Sequence, residues 1–489
     1  MTATALQTRS RWARLQADAR RIAALAWPVF VGQISVIAFG TVDTLLVARH
    51  DKLDLAALAV GSAAYITVFI GLMGVVLALG PIVGQLFGAG KRAEAGAQLH
   101  QAAWLALVLA AFGSLLLIFP APFLAVARAA PEVELRIRHY LGALAFALPA
   151  ALLFAAYRGF NIAVSRPKAV MALQLGGLAL KVPLSASLVQ GLPALGLPAL
   201  GVAGCGIATA VAMWAQLLLA WAVLRRDPFY APFQLRAPRG WGLRAPDRQA
   251  LRTQLRLGVP MGLSILIEVT GFAWMAIFIS RLGTTPAAGH QIAANLVGLL
   301  FMMPLSIANA SSTLVAQRIG ARDLADARRI GWHGLQIGVG LALLLGGAVL
   351  LGRDSIVRLY SRDPAVVAAA LPLLAWVALF HTADAAQAVA SFVLRAYRIV
   401  LVPVLIFAGA LWCVGLGGGY LLAFDVLGVT PVALQGAPGF WAASTAGLVL
   451  TALAMCGFLA WVQWRERGSA ASVTPIKPGL KEPARRPAG

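Results

Sequence analysis

Leu257-Gly-Val-Pro-Met-Gly-Leu-Ser-Ile-Leu-Ile-Glu-Val-Thr-Gly-Phe-Ala-Trp-Met-Ala-Ile-Phe-Ile-Ser280 is a run of 24 residues with one charged side chain, Glu268. A helix rising about 1.5 Å per residue needs roughly 20 mostly apolar residues to cross the hydrocarbon core of a bilayer. This run is long enough, and its acid falls inside. A charge near the bilayer centre costs roughly 2.5–3.5 kcal/mol on insertion scales, so an acid kept there is a functional candidate by default.

Similar runs recur along the whole chain. Their spans are 22–47, 55–80, 101–125, 139–162, 169–190, 202–224, 257–280, 286–315, 331–351, 366–394, 399–422 and 438–463. Hydrophobic residues make up 60% of the 489 and charged ones 12%. A soluble domain holds roughly 25% charged residues, so lipid is the solvent this composition suits. The expected fold is all-α and polytopic, with about 12 transmembrane helices.

The long polar connector 225–256 divides the chain. The resulting layout is a basic N-terminus 1–21, a first lobe 22–224, the linker 225–256, a second lobe 257–463 and a polar, Pro-rich tail 464–489 expected to be disordered. The run after Arg20-Arg21 is read as a retained first helix rather than a cleaved signal. The net charge of +22 does not point to nucleic acid, because the basic residues sit in short connectors between apolar runs. With both termini on one side, the segments on that side carry 30 Lys and Arg against 9 opposite, with Lys181 alone inside a span. The excess of positive charge on cytoplasmic loops places both termini in the cytoplasm of a multi-pass protein of the inner (plasma) membrane.

The halves are related. Leu25-Ala-Trp-Pro28 and Leu257-Gly-Val-Pro260 open them; Gln85 and Gln317 follow, each 57 residues after the proline, and then Gly88-Ala89 and Gly320-Ala321. A single offset of 232 holds throughout. Two six-helix halves in one orientation form a parallel repeat, which places a substrate path between them.

Of 18 acidic residues only Asp43, Glu268 and Asp384 fall well inside spans. Glu268 and Asp384 come out at similar depth near the midplane. They could bind a proton or a cation together, or be neutral and hydrogen-bonded for packing. Asp43 and Lys181 have comparable depths in the first half, so an ion pair is open to them, functional or purely structural. His381 lies three residues before Asp384 on the same helical face, as a proton relay, a substrate ligand or a packing residue. The cysteines Cys205, Cys413 and Cys456 show no paired spacing. The histidines show no metal spacing, and Gly88-Ala-Gly90-Lys91 lacks the Walker pattern. An enzyme and an ATP-driven pump are therefore disfavoured.

Several stretches together resemble the multidrug and toxic compound extrusion (MATE) family, NorM-like branch. They are Leu257-Gly-Val-Pro-Met-Gly-Leu-Ser264 with Glu268-Val-Thr270, Gly289-His-Gln-Ile-Ala-Ala-Asn295, Met303-Pro-Leu-Ser306, Val42-Asp-Thr44, Pro81 to Gly88, Asp384-Ala-Ala-Gln387 and Leu394-Arg-Ala-Tyr397. The resemblance covers residues 20–465. It implies a V-shaped pair of six-helix bundles that works as a monomer among membrane lipids. Such a protein exports organic cations and amphipathic drugs in antiport with H⁺ or Na⁺, with no cofactor beyond the coupling ion and no nucleic-acid partner. On the family's motifs, Glu268 and Asp384 fall on the acids of second-lobe cation binding, a candidate Na⁺ site, and Asp43 on the first-lobe acid of proton coupling. Two positions depart from the pattern. Phe380 replaces a tyrosine, which removes one oxygen ligand and weakens a Na⁺ assignment. Lys181 replaces a polar neutral residue beside Asp43, where it silences the first lobe or alternates with substrate. The alternative is a lipid-linked precursor flippase of the same architecture, which would prefer a large cationic cavity.

Overall fold

A computed structural model describes residues 3–471, apart from 128–129, 193–195, 197 and 236–242. With no water in the bilayer core, a spanning segment must pair its own backbone groups, and helices do so within one segment. Among the described residues twelve helices are long and apolar enough to cross a membrane. They are α1 Trp12–Ala48, α2 Lys52–Gly88, α3 Arg92–Ile118, α4 Pro131–Ala163, α5 Pro167–Gln190 and α6 Val202–Arg226 in the first half. The second half holds α7 Arg248–Ser280, α8 Thr284–Gly320, α9 Leu324–Tyr360, α10 Pro364–Ala396, α11 Leu401–Ala423 and α12 Ala437–Glu466.

Most helices outrun their apolar segments. The helix of α1 begins at Ala3 within the basic N-terminus, and α7 begins at Arg248 inside the linker. Asp247 caps α7 by accepting from the N–H groups of Gln249 and Ala250, which relieves donors that a helix start leaves unpaired. The expected disordered tail is partly corrected: the helix of α12 continues to Ala471, because its last turns pair their own backbone in water as well as in lipid. Residues 472–489 lie outside the described residues.

The repeat is visible in the caps. After α2 and after α8 the chain turns through a left-handed residue, Gly90 (φ 76°) and Arg322 (φ 62°). In both turns the sixth residue donates back to the first, Lys91 N–H to Leu86 O and Asp323 N–H to Arg318 O, each at 2.9 Å. This is the Schellman closure of a helix C-terminus, found twice at the offset of 232.

Two large apolar cores fill the halves. One joins Val47 through Phe233, and the other joins Met275 through Met455. A third core cuts across this division: Ile22, Leu25 and Ala26 at the start of α1 bury against Ile307, Ile330 and Val389. The first turns of the first lobe are thus packed by the second half. Asp18, 1% exposed, extends that attachment by accepting from Arg329 at 3.0 Å and pairing with His333 Nδ1 at 2.7 Å.

Small residues bring the halves together. Gly71 and Gly74 of α2 face Leu266 and Gly262 of α7, and Gly258 lies on the carbonyl of Val75. Membrane helices approach closely where side chains are small, since lipid offers no hydrophobic drive for association. Further along α2, Gly88 meets the carbonyl of Gln317 and Gly320 meets the carbonyl of Gln85. The contacts thus run from the middle of α2 and α7 to the ends of α2 and α8, on the side that carries the termini.

Candidate functional site

A cavity of about 530 Å³ lies where the two halves face one another. Its lining comes from the first parts of α1 and α5, the middle of α7, and the later parts of α2, α4 and α10, with α8 contributing from Ala294 to Thr313. Most of these segments lie toward the terminus side, while Glu268, Phe272 and Ala294 carry the lining to the middle of their helices and past it. Most of the lining is apolar, with residues such as Met73, Met261, Phe272, Phe301 and Met302. Methionine adapts its shape to what it touches, and aromatic faces accept flat or cationic groups.

Two acids open into this cavity from the second half. Glu268 is half-buried in α7, eight residues past Pro260. The turn that carries it is braced by Trp412 of α11, whose Nε1 donates to the carbonyl of Ile267 at 3.1 Å. That bond comes from a segment where α11 takes a π-helical course, Ala408–Gly417. Asp384 is 4% exposed in α10, and Gln387 Nε2 donates to its Oδ1 at 2.9 Å. The structure thus brings together the two acids that depth along the helices had paired.

The same cavity holds two guanidinium groups that the charge count placed with the connectors, although Arg158 falls inside the span 139–162. Arg158 and Arg395 lie inside α4 and α10, and both line the cavity. This corrects the expectation that Lys181 is the one basic residue within a span. The apolar run 366–394 ends just before Arg395 although the helix continues past it, and Arg158 stands four residues inside the end of the run 139–162. A repeated signal was present, Arg158-Gly-Phe160 against Arg395-Ala-Tyr397. Arg395 is buried with its guanidinium carbon 4.2 Å from the centre of the Phe392 ring, and its Nη1 has no hydrogen-bond partner.

Asp43 and Lys181 form a separate site. Lys181 Nζ stands 2.7 Å from Asp43 Oδ2, donates to the carbonyl of Phe39 at 3.3 Å and lies 4.5 Å from the Phe39 ring. Ser185 Oγ donates to Asp43 Oδ1 at 3.3 Å. Both charged residues are buried, and neither lines the central cavity. His381 is also outside its lining: fully buried, it has no hydrogen-bond partner for either ring nitrogen. Phe380 packs edge-on against Phe272 and tilted against Trp441, with ring centres 5.7 and 5.4 Å apart. Among the described residues no group of three or more His, Cys, Asp or Glu could hold a metal ion.

The family model for MatE matches residues 28–187 and again 260–421. The chain belongs to the MatE family. The two matches begin at Pro28 and Pro260, the residues that open the internal repeat. Among MatE relatives, the Probable multidrug resistance protein NorM of Aromatoleum aromaticum is 40% identical over 88% of this chain and 91% of its own. The Multidrug resistance protein PmpM of Pseudomonas aeruginosa is 33% identical over 91% of this chain and 92% of its own. Solved structures share the fold. The eukaryotic MATE transporter AtDTX14 superposes with a TM-score of 0.81 at 19% identity, over 94% of this chain and 98% of that one. The Vibrio cholerae MATE transporter VcmN in the bent form gives 0.79 at 18% identity, over 93% and 98%.

Proposed function

We propose that this chain is a secondary active multidrug exporter of the inner membrane, moving organic cations and amphipathic drugs outward in antiport with H⁺ or Na⁺. The observation that carries the reading is the pair Glu268 and Asp384, embedded in the membrane and opening into one cavity between the halves. The relatives' names, multidrug resistance proteins, support the same reading.

In this reading the lobes 22–224 and 257–463 rock about the cavity while both termini stay cytoplasmic. The coupling ion and the cationic cargo compete for Glu268 and Asp384. Each can shift the balance between inward- and outward-open states only by its differential affinity for them. Asp43 and Lys181 form a closed pair, and Asp43 becomes available to a proton only when Lys181 releases it. A lipid-linked precursor flippase fits less well. Its multiply charged headgroup calls for a cationic cavity, whereas here two carboxylates accompany the two guanidiniums.

The test is ethidium efflux from everted vesicles, with Na⁺ and H⁺ gradients imposed separately, in wild type, Glu268→Gln and Asp384→Asn. Gradient-driven transport that both variants lose supports the reading and names the ion. Folded wild-type protein that moves no cation under either gradient sinks it.

A further inference from the structure

We propose that Arg158 is an anion subsite of the central cavity, holding the carboxylate of those substrates that carry one while their amine meets Glu268 and Asp384. The inference rests on the exporter reading above and adds a second pole to its binding site.

The first half contributes three strongly polar side chains to the cavity, Gln33, Arg158 and Gln174, and among the described residues no acid. Arg158 therefore has no carboxylate on its own side. Its partners are poor: Nη1 reaches Gln33 Oε1 at 3.4 Å, and Nη2 reaches the sulfur of Met73 at 3.2 Å. A thioether is a weak acceptor, and a guanidinium carries five N–H donors in a planar fork. Lys181, the other basic side chain of this half inside a span, is matched by Asp43. Among the described residues Arg158 forms no such pair.

A cation without a counter-ion deep in a protein is costly unless something anionic visits it. The fork suits a carboxylate, which it can hold through two parallel bonds. The opposing half supplies the complementary pole, Glu268 and Asp384, across mostly apolar lining. A cavity of about 530 Å³ is the size of a drug-like molecule's site. An amphiphile with an amine at one end and a carboxylate at the other satisfies both halves at once. Arg395 does not serve this role, because it lies on the same half as the two acids and offsets their charge.

The experiment compares rhodamine B, which carries a free carboxylate beside its cationic ring system, with its ethyl ester, which is cationic only. Binding to purified wild-type protein, Arg158→Gln and Arg158→Lys is followed by fluorescence polarisation, and export is followed in everted vesicles. The expected result is that Arg158→Gln lowers the ratio of rhodamine B affinity to ester affinity roughly tenfold, the scale of a charged hydrogen bond. Arg158→Lys restores part of the ratio, which a merely structural role would not do. A ratio unchanged in Arg158→Gln overturns the subsite, as does wild-type protein that exports the ester but does not bind rhodamine B; the exporter reading survives either result. Wild-type protein that binds rhodamine B through Arg158 yet exports no dye supports the subsite and overturns the exporter reading.

Discussion

Gly88 lies flush on the carbonyl of Gln317: a Cβ built on the glycine would stand 1.9 Å from that oxygen. The mirror contact, Gly320 on the carbonyl of Gln85, has the same 1.9 Å. Real Cβ atoms do not approach backbone oxygens so closely. Any side chain at either glycine must therefore part α2 from α8. Gly88→Leu is expected to open the seam on the terminus side. Spin labels at the exposed positions Lys91 and Arg322 check this, with a longer distance distribution expected than in wild type. An unchanged distribution would show that the seam does not depend on this contact.

Each glutamine of that crossing also reaches a helix end. Gln85 Nε2 donates to the carbonyl of Ala396 at 2.8 Å, and Gln317 Nε2 to the carbonyl of Ala163 and to Ser165 Oγ, both at 2.8 Å. The carbonyls at a helix C-terminus have no partner within the helix, so these amides satisfy them across the interface. Gln85→Ala and Gln317→Ala should each cost roughly 1 kcal/mol, a typical net hydrogen bond. The loss should appear as faster labelling of cysteines placed at the seam. If the double variant labels no faster than wild type, the amides are not what holds the seam.

Asp43 and Lys181 are buried at 4% and 2% exposure and hold one another at 2.7 Å. Removing one partner strands the other charge, at a cost of about 3–5 kcal/mol for buried pairs. Asp43→Asn and Lys181→Met are each expected to lower thermal stability in detergent more than the double variant does. A double variant that falls by the sum of the two singles would show that the pair is not coupled.

Asp51 lies in the connector before α2. The N–H of Leu53 and the Arg136 guanidinium hold its carboxyl below the ordinary carboxylate range. A group with a lowered folded-state pKa adds stability above its unfolded pKa and loses it as pH falls through the folded one. Asp51→Asn keeps a capping oxygen but not the charge. It should flatten the acid limb of the stability profile below about pH 4, the ordinary carboxylate range, because the variant already lacks at neutral pH the stability that wild type loses on acidification, so the two profiles converge at low pH. An acid limb identical to wild type would contradict this.

Residues that hydropathy and spacing could expose were found from the chain itself. Leu257–Ser280 announced a span with a trapped acid, and the offset of 232 announced two related halves, though not that Gly88 and Gly320 would cross at their seam. Counting residues from helix ends put Glu268 level with Asp384, and Asp43 level with Lys181. Arg158, Arg395 and Asp18 escaped. Asp18 and Arg395 lie just outside apolar runs, where hydropathy stops marking the helix although the backbone goes on hydrogen-bonding to itself, and Arg158 lies inside the end of 139–162 but was counted with the connector that follows. Nor could one-dimensional depth show that α1 starts on the opposite half, or that His381 turns away from the cavity, since both depend on which helices become neighbours.

The reciprocal glycine–carbonyl contacts have a consequence for assembly. An interface in which residue i of one body meets residue j of the other, and j meets i, is isologous, the kind that identical subunits form about a two-fold axis. Here one polypeptide makes it with itself, at Gly88 with Gln317 and at Gly320 with Gln85. Each half thus carries both the bolt and the keeper. The register between halves is written into the halves, not into the segment that ties them, so a chain cut between Arg226 and Arg248 and made as two polypeptides retains the information for its own reunion.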